Sequence, residues 1–402
     1  MRRARLAYLG VILLAGLGIA LSGKSARGQE MGVTKDAVTI GFFSVMTGPV
    51  NLAGTSGWDG FRLYIDEVNR RGGVHGRRIA LVGPGDEACK PSEAVAVVNK
   101  LIHQDKVFAI AGGGCSGSTL AALPAIRGSA IPFLITVSTH VNFMEPFSRN
   151  IFRAGTVGDG IQTTAIADAA VKALQAKRVA ILYVANDYGK GGAAGITKRL
   201  EKYGITPLSQ ESYNIGDSDF SAQILRLKRL NPELVFLYAY HKEAGIIVRQ
   251  ATELGVKTRW FGGSATATAL FPQAAGDAGV GVVSLHPLPV MVESDTPEMV
   301  RYGEKLRSIY PGGFPAGRPS DYDMYNYGAA KVLVEGLQRA GADLTRERFM
   351  EALETLRNFD TGVTFPVTFT KEDHEGSKGA TLVEILQGGK RRLSSYSWKP
   401  DN

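Results

Sequence analysis

Short apolar runs alternate with amphipathic helical patterns along most of this chain, and that alternation restricts the available folds more than any single motif does. Residues 37–46 read as a buried strand, followed by a helical stretch carrying Trp58, Phe61, Ile65 and Val68 on one face. Then come a strand at 78–83, a helix at 91–103 with Pro91 suited to its first turn, a strand at 107–111, a helix at 116–127 and a strand at 132–136. A second series runs through helix 159–174, strand 178–184, helices 189–203 and 220–230, strand 234–239, helix 243–254 and strand 259–262. Strands separated by helices of this length imply βαβ units and parallel sheets. Two such series predict an α/β protein of two lobes, each a parallel sheet flanked by helices. The 402 residues leave room for two or three domains.

The last third has a different rhythm. Helices are expected at 297–310, 322–340 and 344–356, and strands near 363–370, 381–387 and 391–396. The stretch PGGFPAGRP at 311–319 reads as a loop or hinge, because Gly and Pro break regular structure there.

Charge excludes one large class of partner. The formal charge is +8, but Arg2, Arg3, Arg5, Lys24 and Arg27 fall in the first 28 residues, which contain no acid. Beyond that segment, 41 Lys and Arg face 38 Asp and Glu, and no concentrated basic face suggests nucleic acid. Residues 1–28 have a basic start, an apolar run from Leu6 to Leu21 and small residues around Ser25-Ala26-Arg27-Gly28. That is the layout of a cleaved signal peptide, with a single membrane anchor as the alternative. No Cys follows the apolar run, so a lipid anchor is not expected, and the mature chain should be exported and soluble. In an oxidising compartment two cysteines ordinarily form one disulfide, here Cys89–Cys115; a reactive thiol is the alternative.

Several segments could carry chemistry. Gly112-Gly113-Gly114-Cys115-Ser116-Gly117 fits GxGxxG, but a dinucleotide site also needs an acid about 20 residues on. None occurs between Asp105 and Glu145. What remains is a Gly-rich turn into a helix N-terminus, which favours an anion; helix capping by Ser116 is the plainer role. Ser138-Thr139-His140 follows the neighbouring strand, so hydroxyls of Ser116 and Thr139 would meet at one sheet edge as a carboxylate cradle. Tyr188 and Tyr240 occupy strand ends of the second series, where a facing lobe would close. Ser116, His140 and Asp159 could in principle form a hydrolytic trio. There is no GxSxG elbow, and the six His show no HxxxH or HExxH spacing, so neither hydrolysis nor a metal site is supported.

These features resemble the type I periplasmic solute-binding proteins of ABC transporters, in particular the leucine/isoleucine/valine-binding branch. The stretches that carry the likeness are IGFFSVMTGPV (40–50), GFRLYIDEVNRRGGVHGRRI (60–79), DEACKPSEAVAVVNKLI (86–102), AGGGCSGSTLAALP (111–124), VANDYGKGG (184–192), DFSAQILRLKRLNPELVFL (219–237) and VRQATELGVKT (248–258). The resemblance implies a two-lobe fold with a three-segment hinge: lobe one at 31–157 and 288–377, lobe two at 158–287 and 378–402. It implies a Cys89–Cys115 disulfide, a ligand carboxylate on Ser116, Ser138 and Thr139, and Tyr188 and Tyr240 closing from the other lobe. It also implies a periplasmic binding protein that is not an enzyme, uses no cofactor or metal, delivers its ligand to an ABC permease and is a monomer.

Two positions depart from the branch. Where amino-acid binders place a Glu against the ligand ammonium, this chain has Ser264; Asp159 could compensate. Where leucine binders place a large aromatic, it has Ala53. A buried ammonium without a counter-charge is costly, so the expected ligand is a small carboxylate without an ammonium, such as an aromatic acid. A branched-chain or other amino acid is the alternative, as is a ligand-sensing receptor role.

Overall fold

The computed structural model describes residues 30–309 and 320–398, so the segments at 1–29 and 310–319 lie outside it. The first series contains β1 (Ala37–Ser44), α1 (Leu52–Arg70), β2 (Arg78–Asp86), α2 (Pro91–Asn99), β3 (Ala109–Gly112), α3 (Ser116–Gly128), β4 (Phe133–Ile135) and β5 (Ile151–Arg153). Its five strands pair in the order β2-β1-β3-β4-β5, every neighbour parallel. Strands such as β3 are buried along their whole length, because helices cover both faces of a parallel sheet and leave no polar side.

The second series contains α4 (Asp159–Asp168), β6 (Val179–Val184), α5 (Asp187–Glu201), β7 (Gln210–Tyr213), α6 (Ser221–Leu230), β8 (Leu234–Tyr238), α7 (His241–Glu253), β9 (Arg259–Gly262), α8 (Leu270–Ala275) and β10 (Val283–His286). After α9 (Pro297–Ile309), α10 (Asp321–Ala340) and α11 (Arg346–Leu353), the chain returns in β11 (Ala380–Ile385) and β12 (Arg391–Trp398). The second sheet runs β12-β11-β10-β9-β8-β6-β7. Strands β6 to β10 are parallel, whereas β11 and β12, at the strands expected near 381–387 and 391–396, are added antiparallel as a hairpin, a pairing the sequence reading did not give.

Three apolar cores follow. One joins the first sheet to α1, α10 and α11 through Phe42, Phe61, Leu333 and Phe349. A second fills that sheet's other face against α2 and α3, and the third surrounds the seven-stranded sheet. The strand expected at 363–370 is not one. Phe359 and Val367 make only an isolated bridge. Val367 and Phe369 are buried in the first core on irregular backbone held by hydroxyls: Thr361 to Thr364 at 2.6 Å, and Asn358 N–H to Thr368 Oγ1 at 2.9 Å. Burial of alternate residues imitated a strand pattern there.

The α1–α10 crossing bears most directly on the site, because α10 begins with the sequence DYDMYNY. Gly57 and Gly60 allow it: a Cβ on Gly60 would lie 2.1 Å from the Asp323 carbonyl oxygen, and one on Gly57 would lie 2.5 Å from Asn326 Nδ2. Gly60→Ala is therefore expected to destabilise the protein by about 1–3 kcal/mol through overpacking, outweighing the roughly 1 kcal/mol that Ala gains in a helix interior. Urea unfolding measures this, and a variant as stable as wild type would contradict the close crossing.

Candidate functional site

In an open parallel sheet, ligands sit beyond the carboxyl ends of strands where the strand order reverses. The first sheet reverses between β1 and β3, the second between β6 and β8. Ser116 follows β3, Tyr188 follows β6 and Tyr240 follows β8, and all three line one cavity. Ala53, Ser138, Thr139 and Ser264 line it too. Seven of the eight expected ligand residues thus meet in one place. The cavity they enclose measures about 40 Å³.

The turn into α3 is built by backbone geometry that only Gly tolerates. Gly112 has φ +130°, and a Cβ there would lie 1.9 Å from the Phe43 carbonyl oxygen. The amides that follow are not free for a ligand, because Glu87 takes them. Its Oε1 accepts from Gly114 N–H at 2.8 Å and Cys115 N–H at 2.6 Å, and its Oε2 accepts from the Thr119 hydroxyl at 3.0 Å. Burial pushes the Glu87 carboxyl above its usual range, and these hydrogen bonds oppose that shift. The disulfide Cys89–Cys115, with Cα atoms 5.3 Å apart, pins the same turn. Cys115 rather than Ser116 is the N-cap residue, so Ser116 is available to the cavity.

Ser116 Oγ accepts from Thr139 N–H at 3.3 Å, which leaves its own proton to donate. Thr139 Oγ1 is buried and faces Asp159 without closing a hydrogen bond. Ser138 is different: its hydroxyl donates to Thr119 at 3.1 Å, away from the cavity. Arg153, fully buried, donates to the carbonyls of Ser138 and His140 on either side of Thr139 and pairs with Glu375 at 2.9 Å. The Thr139 loop is therefore held by a buried guanidinium.

The opposite wall is aromatic. Asn186 caps α5 by accepting from Gly189 N–H at 3.1 Å, and its amide donates to the Tyr240 hydroxyl at 3.2 Å. Tyr188 and Tyr240 stack with centroids 5.3 Å apart. Burial raises the Tyr240 phenol to about 12, so it stays neutral. Tyr322 and Tyr325 reach the cavity from the first turns of α10, the helix that packs on α1, edge-on to each other at 5.9 Å. The hydroxyls of Tyr188 and Tyr325 are buried without a hydrogen-bond partner. Among the described residues, none lining the cavity carries a charged side chain.

Asp159, the eighth expected residue, is not on the wall. It lies one layer behind, fully buried, accepting from the Tyr238 hydroxyl at 2.6 Å, with its Oδ2 unpartnered. Burial raises its pKa and the Tyr238 bond opposes the rise. His140 Nδ1 accepts from Asn142 N–H at 3.1 Å, so Ser116, His140 and Asp159 each have other partners and form no relay. The sequence reading missed Glu87, Tyr322 and Tyr325. Glu87 adjoins the first cysteine motif, and the two tyrosines sit three apart on a predicted helix; both signals were visible.

Because burial raises the folded-state pKa of Asp159, its contribution to stability is present below the ordinary value of 3.8 and is lost as pH rises through the folded value. Removing the Tyr238 hydroxyl enlarges that loss. Tyr238→Phe should cost about 1–3 kcal/mol at neutral pH, with the deficit shrinking as pH falls through the raised folded value of Asp159. Urea unfolding across pH checks this; a deficit independent of pH would contradict the Asp159 assignment.

Comparison with known proteins identifies the family and the fold. Residues 37–390 match the family model described as periplasmic binding protein. An amino acid binding protein of Pseudomonas aeruginosa is 31% identical over 327 residues, covering 81% of this chain and 84% of that protein. Among solved structures, a leucine binding protein from Thermotoga maritima superposes with a TM-score of 0.79 at 23% identity, covering 90% of this chain and 99% of that one. A solute binding protein from R. palustris, in complex with benzoate, gives a TM-score of 0.77 at 20% identity, covering 89% and 95%.

Proposed function

Because this chain belongs to the periplasmic binding protein family, we propose that it captures a small carboxylate without an ammonium group, an aromatic or other organic acid, and delivers it to the membrane permease of an ABC importer. The carrying observation is the wall itself: tyrosines, small residues and hydroxyls, with no charged side chain among the described lining residues. Ser116 and Thr139 would donate to the carboxylate, and Tyr188 and Tyr240 would cover the body of the ligand, each ring adding apolar area and one hydroxyl. Ser264 and Ala53 would leave room rather than bind strongly. An ammonium here would lose its hydration and gain hydroxyls and aromatic faces, the latter worth about 2 kcal/mol or more when desolvated, but no counter-charge on the wall. The R. palustris protein, which shares the fold, holds benzoate.

Lobe one at 31–157 and 288–377 and lobe two at 158–287 and 378–402 would close over the cavity, and the strands of the two sheets divide along those limits. Export by the segment at 1–28 would place the mature monomer in the periplasm. An amino acid is the second reading, favoured by the unpartnered Asp159 Oδ2 one layer behind the wall and by the Pseudomonas relative.

Thermal unfolding of the chain from Gln29 onward, against amino acids and against aromatic and aliphatic carboxylates, separates the two readings. Ligand at 100 times its dissociation constant should stabilise by about 2.7 kcal/mol. Carboxylates lacking an ammonium should raise the midpoint and α-amino acids should not; the reverse outcome would overturn the ligand assignment. Ser116→Ala and Thr139→Ala should each weaken binding about ten- to hundredfold, the worth of a hydrogen bond to a charged group. Unchanged affinity in both, by calorimetry, would refute the cradle.

A further inference from the structure

Behind the cavity lies a second buried guanidinium. Arg391 opens β12 in the seven-stranded sheet, and its side chain is 1% exposed. All five of its N–H groups are used. Nη1 donates to Asp321 Oδ2 at 2.7 Å and to the Ala267 carbonyl. Nη2 donates to Asp321 Oδ1 at 3.3 Å and to Glu293 Oε2, and Nε donates to Glu293 Oε1 at 2.5 Å. His286, at the end of β10, adds Nε2 at 3.4 Å from Asp321 Oδ1.

What these partners precede or follow is the informative part. Ala267 ends the turn whose Ser264 and Ala265 line the cavity from the seven-stranded sheet. Asp321 starts α10, one residue before Tyr322 and four before Tyr325, which line the cavity; the later turns of the same helix pack on the five-stranded sheet. Arg391 itself does not line the cavity; it faces the neighbouring groove with Ser320 and Glu293. Glu293 lies between β10 and α9, where the chain passes from one sheet's elements to the other's. One side chain is thus bonded to both walls and to the passage between them.

We propose that Arg391 is a positioning residue for ligand binding, holding the Ser264–Ala267 turn and the Tyr322–Tyr325 turn at the spacing that the closed cavity requires. The inference rests on this cavity being the ligand site. Lysine cannot replace the guanidinium, because a single ammonium with three donors cannot span the carboxylates and the carbonyl together. The role differs from simple support of the fold: it predicts faster ligand escape from a folded protein, since closure would no longer bring both walls into register.

The test uses the exported chain with benzoate as the probe, and leucine where benzoate does not bind. Arg391→Lys keeps a cation beside Asp321, and the double variant Arg391→Met with Asp321→Asn removes both charges, so that at least one folds. In each variant that folds, judged by a cooperative unfolding transition, stopped-flow kinetics should show dissociation about tenfold faster, the size typical of a coupling residue. Association should stay within about twofold, as it generally does among mutants of one site. Dissociation within about twofold of wild type, whatever the change in melting temperature, overturns the proposal and leaves Arg391 a stability residue only. Ser116→Ala, run in parallel, keeps the two failures apart. If Ser116→Ala leaves affinity unchanged, the site reading fails; if it weakens binding while both Arg391 variants release probe normally, only the positioning role fails.

Discussion

Where a parallel sheet reverses its strand order, the connections on either side leave in opposite directions, and the gap between them is not roofed by a crossing helix. This chain makes that gap twice, at β1/β3 and at β6/β8, and the two gaps share one cavity. The rest of the molecule serves that placement. The glycines at the α1–α10 crossing let the start of α10 reach the cavity. The Cys89–Cys115 disulfide and Glu87 fix the turn before α3, and the Asn186 cap fixes Tyr188 at the start of α5.

A consistent electrostatic division follows. Burying a charge without a partner costs several kcal/mol, and the buried Glu87, Arg153 and Arg391 hold the cavity's turns while each keeps partners of its own. Glu87 is satisfied by amides, Arg153 by two carbonyls and Glu375, and Arg391 by Asp321, Glu293 and a carbonyl. Asp159, by contrast, is bonded through one oxygen only. The wall is left with neutral donors and aromatic faces, a surface suited to one anionic group on an otherwise apolar molecule. Charge around this cavity positions the loops, and hydroxyls face the space they enclose.

Much of this was legible in the sequence because burial on both faces makes parallel strands continuous apolar runs. Runs such as 234–239 stood out, and strand ends then pointed to Ser116, Thr139, Tyr188 and Tyr240. Strands β5, β7 and β10 escaped notice for definite reasons. β5 and β10 are three and four residues long and end in Arg153 and His286, polar residues that are buried only because distant partners receive them. β7 is an edge strand in which exposed residues alternate with buried ones. The irregular 363–370 stretch showed the opposite error, with alternating burial but no strand partner. Ser138 lines the cavity and Asp159 lies behind it, but sequence position cannot tell which way a hydroxyl or carboxylate turns. Their orientation depends on Thr119 and Tyr238, residues far away in the chain. Tyr322 and Tyr325 belong to a helix whose approach depends on glycines more than 250 residues earlier, a contact that no local pattern reveals.

The central claim is that a neutral, tyrosine-walled cavity holds a carboxylate without a neighbouring ammonium. The most direct measurement is mass spectrometry of the small molecule released on denaturing protein purified from its native cells, without added ligand. An organic acid lacking an amine is the predicted result. An α-amino acid recovered in stoichiometric amount would contradict the account and would assign Asp159 the role of its counter-charge.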